Sequence, residues 1–173
     1  MDVIALHQAG FGQAVASLGT AFTAGQAGLV KRFGEGVLLA YDSDGAGTNA
    51  ALRALGILKE AGLRGRVINM KPYKDPDEFI KNLGAEAFQE RIDQAQNGFF
   101  FELEVLERDY HMEDPESKTA FHREIAKKLC GFEEEVEREN YIEAVAQKYH
   151  IGFENLRKLV NSYAAKTGLA QPV

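Results

Sequence analysis

The chain has 173 residues, 45% of them hydrophobic, a single cysteine and a formal charge of −6. That length suits one large domain or two small ones, and the lone Cys130 excludes an internal disulfide and a cysteine-built zinc cluster. Residues 1–96 carry 10 basic against 11 acidic side chains and residues 97–173 carry 10 against 15, which excludes a freestanding basic nucleic-acid binder; nucleic-acid contact is expected to use a local site, metal ions or neighbouring domains.

No apolar run approaches membrane-spanning length, and MDVIALHQAG lacks the basic flank and long apolar core of a signal peptide. The expectation is a cytoplasmic protein that does not engage a membrane. In chain order, Met1–Ala9 reads as a short helix stopped at Gly10. It has no cap and no preceding strand, so the chain is expected to start inside a fold. Ala14–Leu18 reads as a buried strand closed by Gly19. Thr23–Phe33 reads as a helix turning Leu29, Val30 and Phe33 inward.

The stretch VLLAYDSDGAG, Val37–Gly47, is an apolar run that stops abruptly at two carboxylates, as a buried parallel strand would. Strand side chains repeat every second residue, which puts Asp42 and Asp44 on one side, roughly 6–7 Å apart at Cα. Paired carboxylates repel unless neutralised, and Mg²⁺ takes one or two of them while keeping sites for waters and substrate phosphates. Gly45 and Gly47 permit a tight turn into a helix over Ala46–Ala61. The same Asp42, Ser43 and Asp44 also read as caps of that helix. An isolated DxDGxG fits both readings.

Arg66–Met70 reads as the next strand, and KPYKDPDEF then interrupts all periodicity. Strand alternating with helix is the pattern of an α/β domain with a parallel sheet, in which ligands sit at the carboxyl ends of the strands. Asp75 and Asp77 lie just past this strand, on a loop stiffened by Pro72 and Pro76. Asp77 can cap a helix over Glu78–Leu83. Four carboxylates at adjacent strand ends nevertheless exceed what capping needs, which favours metal ligation. Lys71 and Lys74 flank the loop as candidate phosphate contacts. His7, on the polar face of its short helix, is read as an exposed side chain.

From Glu78 onward the pattern is helical, with Phe79, Ile80, Leu83, Phe88 and Ile92 at helical spacing and a domain boundary near Gln96. Helices follow over Phe99–Tyr110 and over Ser117–Leu129, the latter lining one face with Phe121, Ile125 and Leu129. The acidic run Glu133–Glu139 reads as a solvated first turn. Tyr141–Tyr149 and Phe153–Ala164, joined by His-Ile-Gly, resemble a helix-turn-helix whose groove-facing residues would be Arg157 and Lys158. The acidity of this half argues against sequence-specific DNA reading, so the helices are expected to back the sheet, and Ala164–Val173 to be linker.

In order and spacing, MDVIALHQAGF, ASLGTAFT, LLAYDSDGAG and KPYKDPDEF resemble the Toprim region of bacterial replicative DNA primases of the DnaG type. The resemblance continues through SKTAFHREIAKKL and EEEVERENYIEAVAQKYHI into the helical part of the same polymerase domain. It implies a mainly parallel Toprim-like sheet with a truncated first strand over residues 1–96, and an all-helical subdomain over 97–173. It implies metal ligation of Mg²⁺ or Mn²⁺ by Asp42 and Asp44, with Asp75 and Asp77 in the adjoining cluster and no zinc. Asp2 matches the aspartate closing the family's EGYMD motif, whose glutamate would precede Met1. The implied activity is RNA primer synthesis on single-stranded DNA by two-metal nucleotidyl transfer. Ribonucleoside triphosphates are the substrates, and the replicative helicase is engaged through a carboxyl-terminal domain beyond this chain, in the bacterial replisome. The chain alone is expected to synthesise no primers. The alternatives are another Toprim activity, topoisomerase or metal-dependent nuclease, and a helical binding module without catalysis.

Overall fold

Short apolar runs punctuated by glycine set the element lengths. The computed structural model describes residue 10 and residues 23–32, 36–42 and 44–166, and the chain divides into two units, Met1–Glu102 and Leu103–Val173. The expected helix over Met1–Ala9, the expected strand at Ala14–Leu18, and Asp2, His7 and Phe33 lie outside the described residues.

In the first unit, helix α1 (Ala24–Val30) opens on a capping box: Gln26 N donates to the Thr23 hydroxyl at 3.2 Å and Thr23 N donates to the Gln26 side chain at 3.0 Å. Leu29 was expected inward but is 55% exposed; Ala27 takes the buried position. A two-turn helix buries only a narrow stripe, and a small residue there lets it lie close to its neighbour. Ala27 joins a core with Leu39, Ala54, Leu58, Leu63 and Val67.

Strands β1 (Gly36–Leu39) and β2 (Arg64–Val67) pair in parallel, with Gly36 opposite Arg64 and Leu39 opposite Val67. Helix α2 (Gly45–Glu60) connects them and buries Ala51, Ala54 and Leu58 along one stripe. Strand β3 (Gln96–Asn97) pairs antiparallel with β2, giving the order β1-β2-β3 and a mixed sheet. β2 starts and ends earlier than the expected Arg66–Met70. Within β2, Gly65 faces α2 closely: a Cβ there would stand 2.6 Å from Leu55 Cδ2 and 3.1 Å from Leu58 Cδ1, so a side chain would displace those leucines. Ile68 N still donates to Leu39 O at 3.0 Å, after which Ile68 and Met70 enter a separate core with Phe79, Phe88 and Ala95.

Helix α3 (Pro76–Asp93) is not one rod. Gly84, at φ 86° and ψ 174°, interrupts it, in a region open essentially to glycine alone. Along a straight helix, Phe79 and Phe88 would be separated by about 13 Å of rise, yet their ring centroids lie 5.7 Å apart. The chain therefore folds back at Gly84. Leu83, expected on the buried stripe, sits at that corner and is 47% exposed. Among the described residues, nothing beyond the adjoining chain lies within 4 Å of a Cβ placed on Gly84, so Gly84→Ala is a purely conformational test. It is expected to lower stability by about 1–3 kcal/mol, read as a shifted urea midpoint with unchanged slope.

Helix α4 (Gly98–Glu107) crosses the division between the units. The second unit continues through α5 (Pro115–Leu129), α6 (Glu135–Lys148) and α7 (Phe153–Lys166). Asp114 caps α5 by accepting from Glu116 N at 3.2 Å, with Pro115 in the first turn. Phe121, Ile125 and Leu129 are fully buried on α5, Ile142 and Val145 on α6, and Leu156 and Val160 on α7. Each contributes about 1.5–3 kcal/mol of apolar transfer energy, which makes this stripe the unit's main stabilising element. Arg157 Nε donates to Glu139 Oε1 at 2.9 Å, tying α7 to α6. The guanidinium expected to face a groove is thus paired with the acidic face of α6. No helix of the described residues is long and apolar enough to cross a membrane.

The Phe121 ring packs between Tyr110 and Tyr149, at centroid distances of 5.4 Å and 5.3 Å. The Tyr149 hydroxyl is buried and has no hydrogen-bond partner among the described residues. Burial, with smaller effects of the Glu107 and Glu104 carboxylates, pushes its pKa from 10.0 up to about 12. The folded chain therefore holds the proton where the unfolded chain has released it, so stability is intact below about pH 10 and is lost between about pH 10 and 12. Tyr149→Phe is expected to flatten that alkaline loss. Because an orphaned donor is deleted, it should also raise stability at pH 7 by about 1 kcal/mol. Melts from pH 7 to 11 check both statements.

Candidate metal centre at the carboxyl edge of the sheet

Past β1 the chain runs through Ala40 and Tyr41 to Asp42, then caps α2 with Asp44. Gly47 N donates to Asp44 Oδ1 at 2.6 Å, and the Thr48 hydroxyl donates to the Asp44 carbonyl at 2.9 Å. A Cβ on Gly47 would overlap the Asp42 carbonyl oxygen and stand 2.7 Å from its carbonyl carbon. Glycine is therefore required for the turn that brings the Asp42 backbone over the helix start. The Asp42 side chain is half-buried and has no hydrogen bond or ion pair among the described residues. A partly exposed carboxylate with no internal partner keeps its oxygens available, as a candidate cation ligand must.

Past β2, the loop is held by its own polar groups. Lys71 N donates to Asn69 Oδ1 at 3.0 Å and Tyr73 N to Met70 O at 2.9 Å. Lys74 N donates to Glu78 Oε2 at 2.9 Å, and Glu78 N donates to Asp75 Oδ1 at 2.8 Å. The cap of α3 is thus Asp75 rather than Asp77, because Pro76 takes the first helical position. Asp77 instead accepts from Lys81 Nζ at 3.0 Å, one turn along. Lys71 and Lys74 are exposed beside it.

Since β1 and β2 are parallel neighbours, both acidic loops leave the same edge of the sheet. Among the described residues, however, no group of three or more His, Cys, Asp or Glu side chains is gathered closely enough to hold a metal ion. The structure brings Asp42 and Asp44 together on one turn and Asp75 and Asp77 on the other, without merging the two pairs into one cluster. The donor chemistry fits a hard cation all the same: one or two carboxylates suffice for Mg²⁺, whose other positions go to water and phosphate oxygens. Two supports of the second loop were not singled out from the sequence. Glu78 carried a signal, standing three residues after a capping Asp. Arg91 carried none, since its NH1 donates to the Asn69 carbonyl, 22 residues back, at 2.8 Å.

A Toprim-like family model matches residues 1–80, and a model for the DnaB-helicase binding domain of primase matches residues 100–154. The chain is 35% identical over 168 residues to the DNA primase of Clostridium acetobutylicum, an alignment covering 97% of this chain and 28% of that protein. It is 32% identical over 160 residues to the DNA primase of Listeria innocua, covering 91% of this chain and 26% of the relative. Among solved structures, a DnaG catalytic core superposes with a TM-score of 0.70 at 31% identity, covering 90% of this chain and 51% of that one. The chain belongs to the bacterial DnaG-type primases.

A second DnaG-type neighbour, a DNA primase domain from Pseudomonas aeruginosa, gives a TM-score of 0.71 at 29% identity over 92% of this chain and 51% of its own. The chain spans about a quarter of the length of the curated DnaG-type relatives it matches, 28% and 26% in the two described. The match to the helicase-binding model falls inside the helical half of the chain. From the sequence alone, helicase contact is expected through a domain beyond the carboxyl end of the chain. Helices packing on one another bury apolar stripes whatever they bind, so periodicity could not reveal that match.

Proposed function

We infer that this chain supplies metal-binding carboxylates to a bacterial primase that makes short RNA primers on single-stranded DNA by nucleotidyl transfer. The observation carrying the reading is the half-buried Asp42 carboxylate, which has no partner among the described residues and stands beside Asp44 where β1 gives way to α2. Asp42 and Asp44, with Asp75 and Asp77 across the same sheet edge, would hold Mg²⁺ or Mn²⁺. Bound there, the ions would activate the attacking 3′-hydroxyl and stabilise the departing pyrophosphate.

The chain's own residues serve that chemistry by position. Asp44 directs one oxygen into Gly47 N and so fixes its carboxylate at the start of α2. The exposed ammonium groups of Lys71 and Lys74 offer positive charge to triphosphate or template phosphates. Single-stranded DNA as the template gains support from a DnaG primase catalytic domain bound to ssDNA, similar over 69% of this chain with a TM-score of 0.60 at 34% identity. A DnaB-type helicase as partner gains support from the family match over residues 100–154. The setting is the cytoplasmic replisome. The test is incorporation of labelled ribonucleotides on single-stranded DNA by the intact parent protein. Strand cleavage without synthesis would replace this reading by a nuclease or topoisomerase.

A further inference from the structure

We propose that Arg91 is the positioning residue of the second acidic loop, holding the segment from Asn69 to Asp75 in the geometry that presents Asp75 and Asp77 to a divalent cation. The inference rests on the metal reading given above and deepens it. Arg91 NH1 donates to the Asn69 carbonyl at 2.8 Å, and its guanidinium lies over the Phe79 ring at 5.2 Å from the centroid. Phe79 is fully buried and meets Tyr73, inside the loop, edge-on at 5.9 Å. One side chain thus grips the backbone at the loop's start and the aromatic group on which its middle rests.

At the loop's far end Glu78 accepts from Lys74 N and donates through its own amide to Asp75. The two grips come from opposite ends of α3. On a straight helix Arg91 would rise about 20 Å beyond Glu78; the fold-back at Gly84 returns it to the loop that precedes the helix. An arginine on the outer face of an ordinary helix end would have no such reach. The planar guanidinium suits both tasks, since it can donate in its plane while its face lies on an aromatic ring.

The test uses the 173-residue chain and Mn²⁺ as the probe, titrated by water-proton relaxation, with amide hydrogen exchange followed over residues 69–75. Arg91→Met keeps the length and the apolar stem but removes every donor. It is expected to weaken Mn²⁺ binding about tenfold, the low end for residues that orient metal ligands, and to speed exchange at the Lys71, Tyr73 and Lys74 amides. Arg91→Lys keeps a cation and a donor but has no planar face for the Phe79 ring, so it should recover only part of the affinity. Asp75→Asn is the reference: unchanged Mn²⁺ affinity in that variant removes the metal reading of this loop and this inference with it. Weakened binding by Asp75→Asn beside unchanged affinity or unchanged exchange in Arg91→Met overturns the role of Arg91 alone. So does a lysine variant that binds no better than the methionine one.

Discussion

Replacing Asp42 by alanine in an intact primase containing this chain is expected to lower primer synthesis on the order of 10³-fold, about 4 kcal/mol of transition-state stabilisation, without lowering its melting temperature. The two effects separate because Asp42 has no partner among the described residues. Deleting it breaks no bond among the described residues and removes a half-buried charge. Asp44 differs. Its carboxylate accepts from Gly47 N at 2.6 Å as the cap of α2, so Asp44→Ala should cost about 1 kcal/mol of folding stability besides its loss of activity. Asp44→Asn keeps an oxygen for Gly47 N and exchanges a charged ligand for a neutral one; it should melt like the parent and still fail to synthesise. Labelled-ribonucleotide incorporation measured beside thermal melts distinguishes the cases. Full activity in Asp42→Ala would remove that residue from the mechanism.

Gly47→Ala is expected to damage folding and site together. Two effects oppose each other: alanine gains about 1 kcal/mol of helix propensity over glycine, while a Cβ in the space of the Asp42 carbonyl oxygen forces backbone apart. Overpacking costs about 1–3 kcal/mol and more where no flexible side chain can yield. The obstruction is main chain, so the second effect wins. The shift must move Asp42, so divalent-metal affinity should fall with stability. Gly45→Ala is the matched comparison: among the described residues nothing beyond the adjoining chain lies within 4 Å of a Cβ built there, so it should gain propensity and leave the turn alone. A Gly47→Ala protein that melts and binds Mn²⁺ like its parent would show that the turn does not need glycine.

Much of the fold was legible because its signals are local. The run ending at Asp42, the glycines Gly62 and Gly131 just past α2 and α5, and the 3.6-residue stripe of Phe121, Ile125 and Leu129 each announce an element within a few residues. What escaped the sequence depends on distant partners. β3 is two residues long and is defined by Arg66 and Val67 across the ladder, with no apolar run of its own. The corner at Gly84 hid because Phe79, Ile80 and Leu83 before it and Phe88 and Ile92 after it each keep helical spacing; only the glycine between them and the five-residue step from Leu83 to Phe88 marked a break. For the candidate site, residue types and their placement after strand ends could be read from the sequence. The capping work of Asp44 and Asp75 and the grip of Arg91 required the folded backbone.

Cys130 gives the helical unit a built-in clock. Its thiol is buried and lies 3.3 Å from the carbonyl oxygens of both Ala126 and Val160, bridging α5 to α7. Burial also pushes its pKa up, so the reactive thiolate is scarce while the unit stays closed. With no second cysteine in the sequence, a thiol reagent in excess has one place to react, and only after α7 lifts from α5. The rate of its modification, divided by the rate for a free thiol, gives the equilibrium for that lifting directly. Comparing that ratio with and without a helicase would show whether the partner grips the closed helices or an opened form of them.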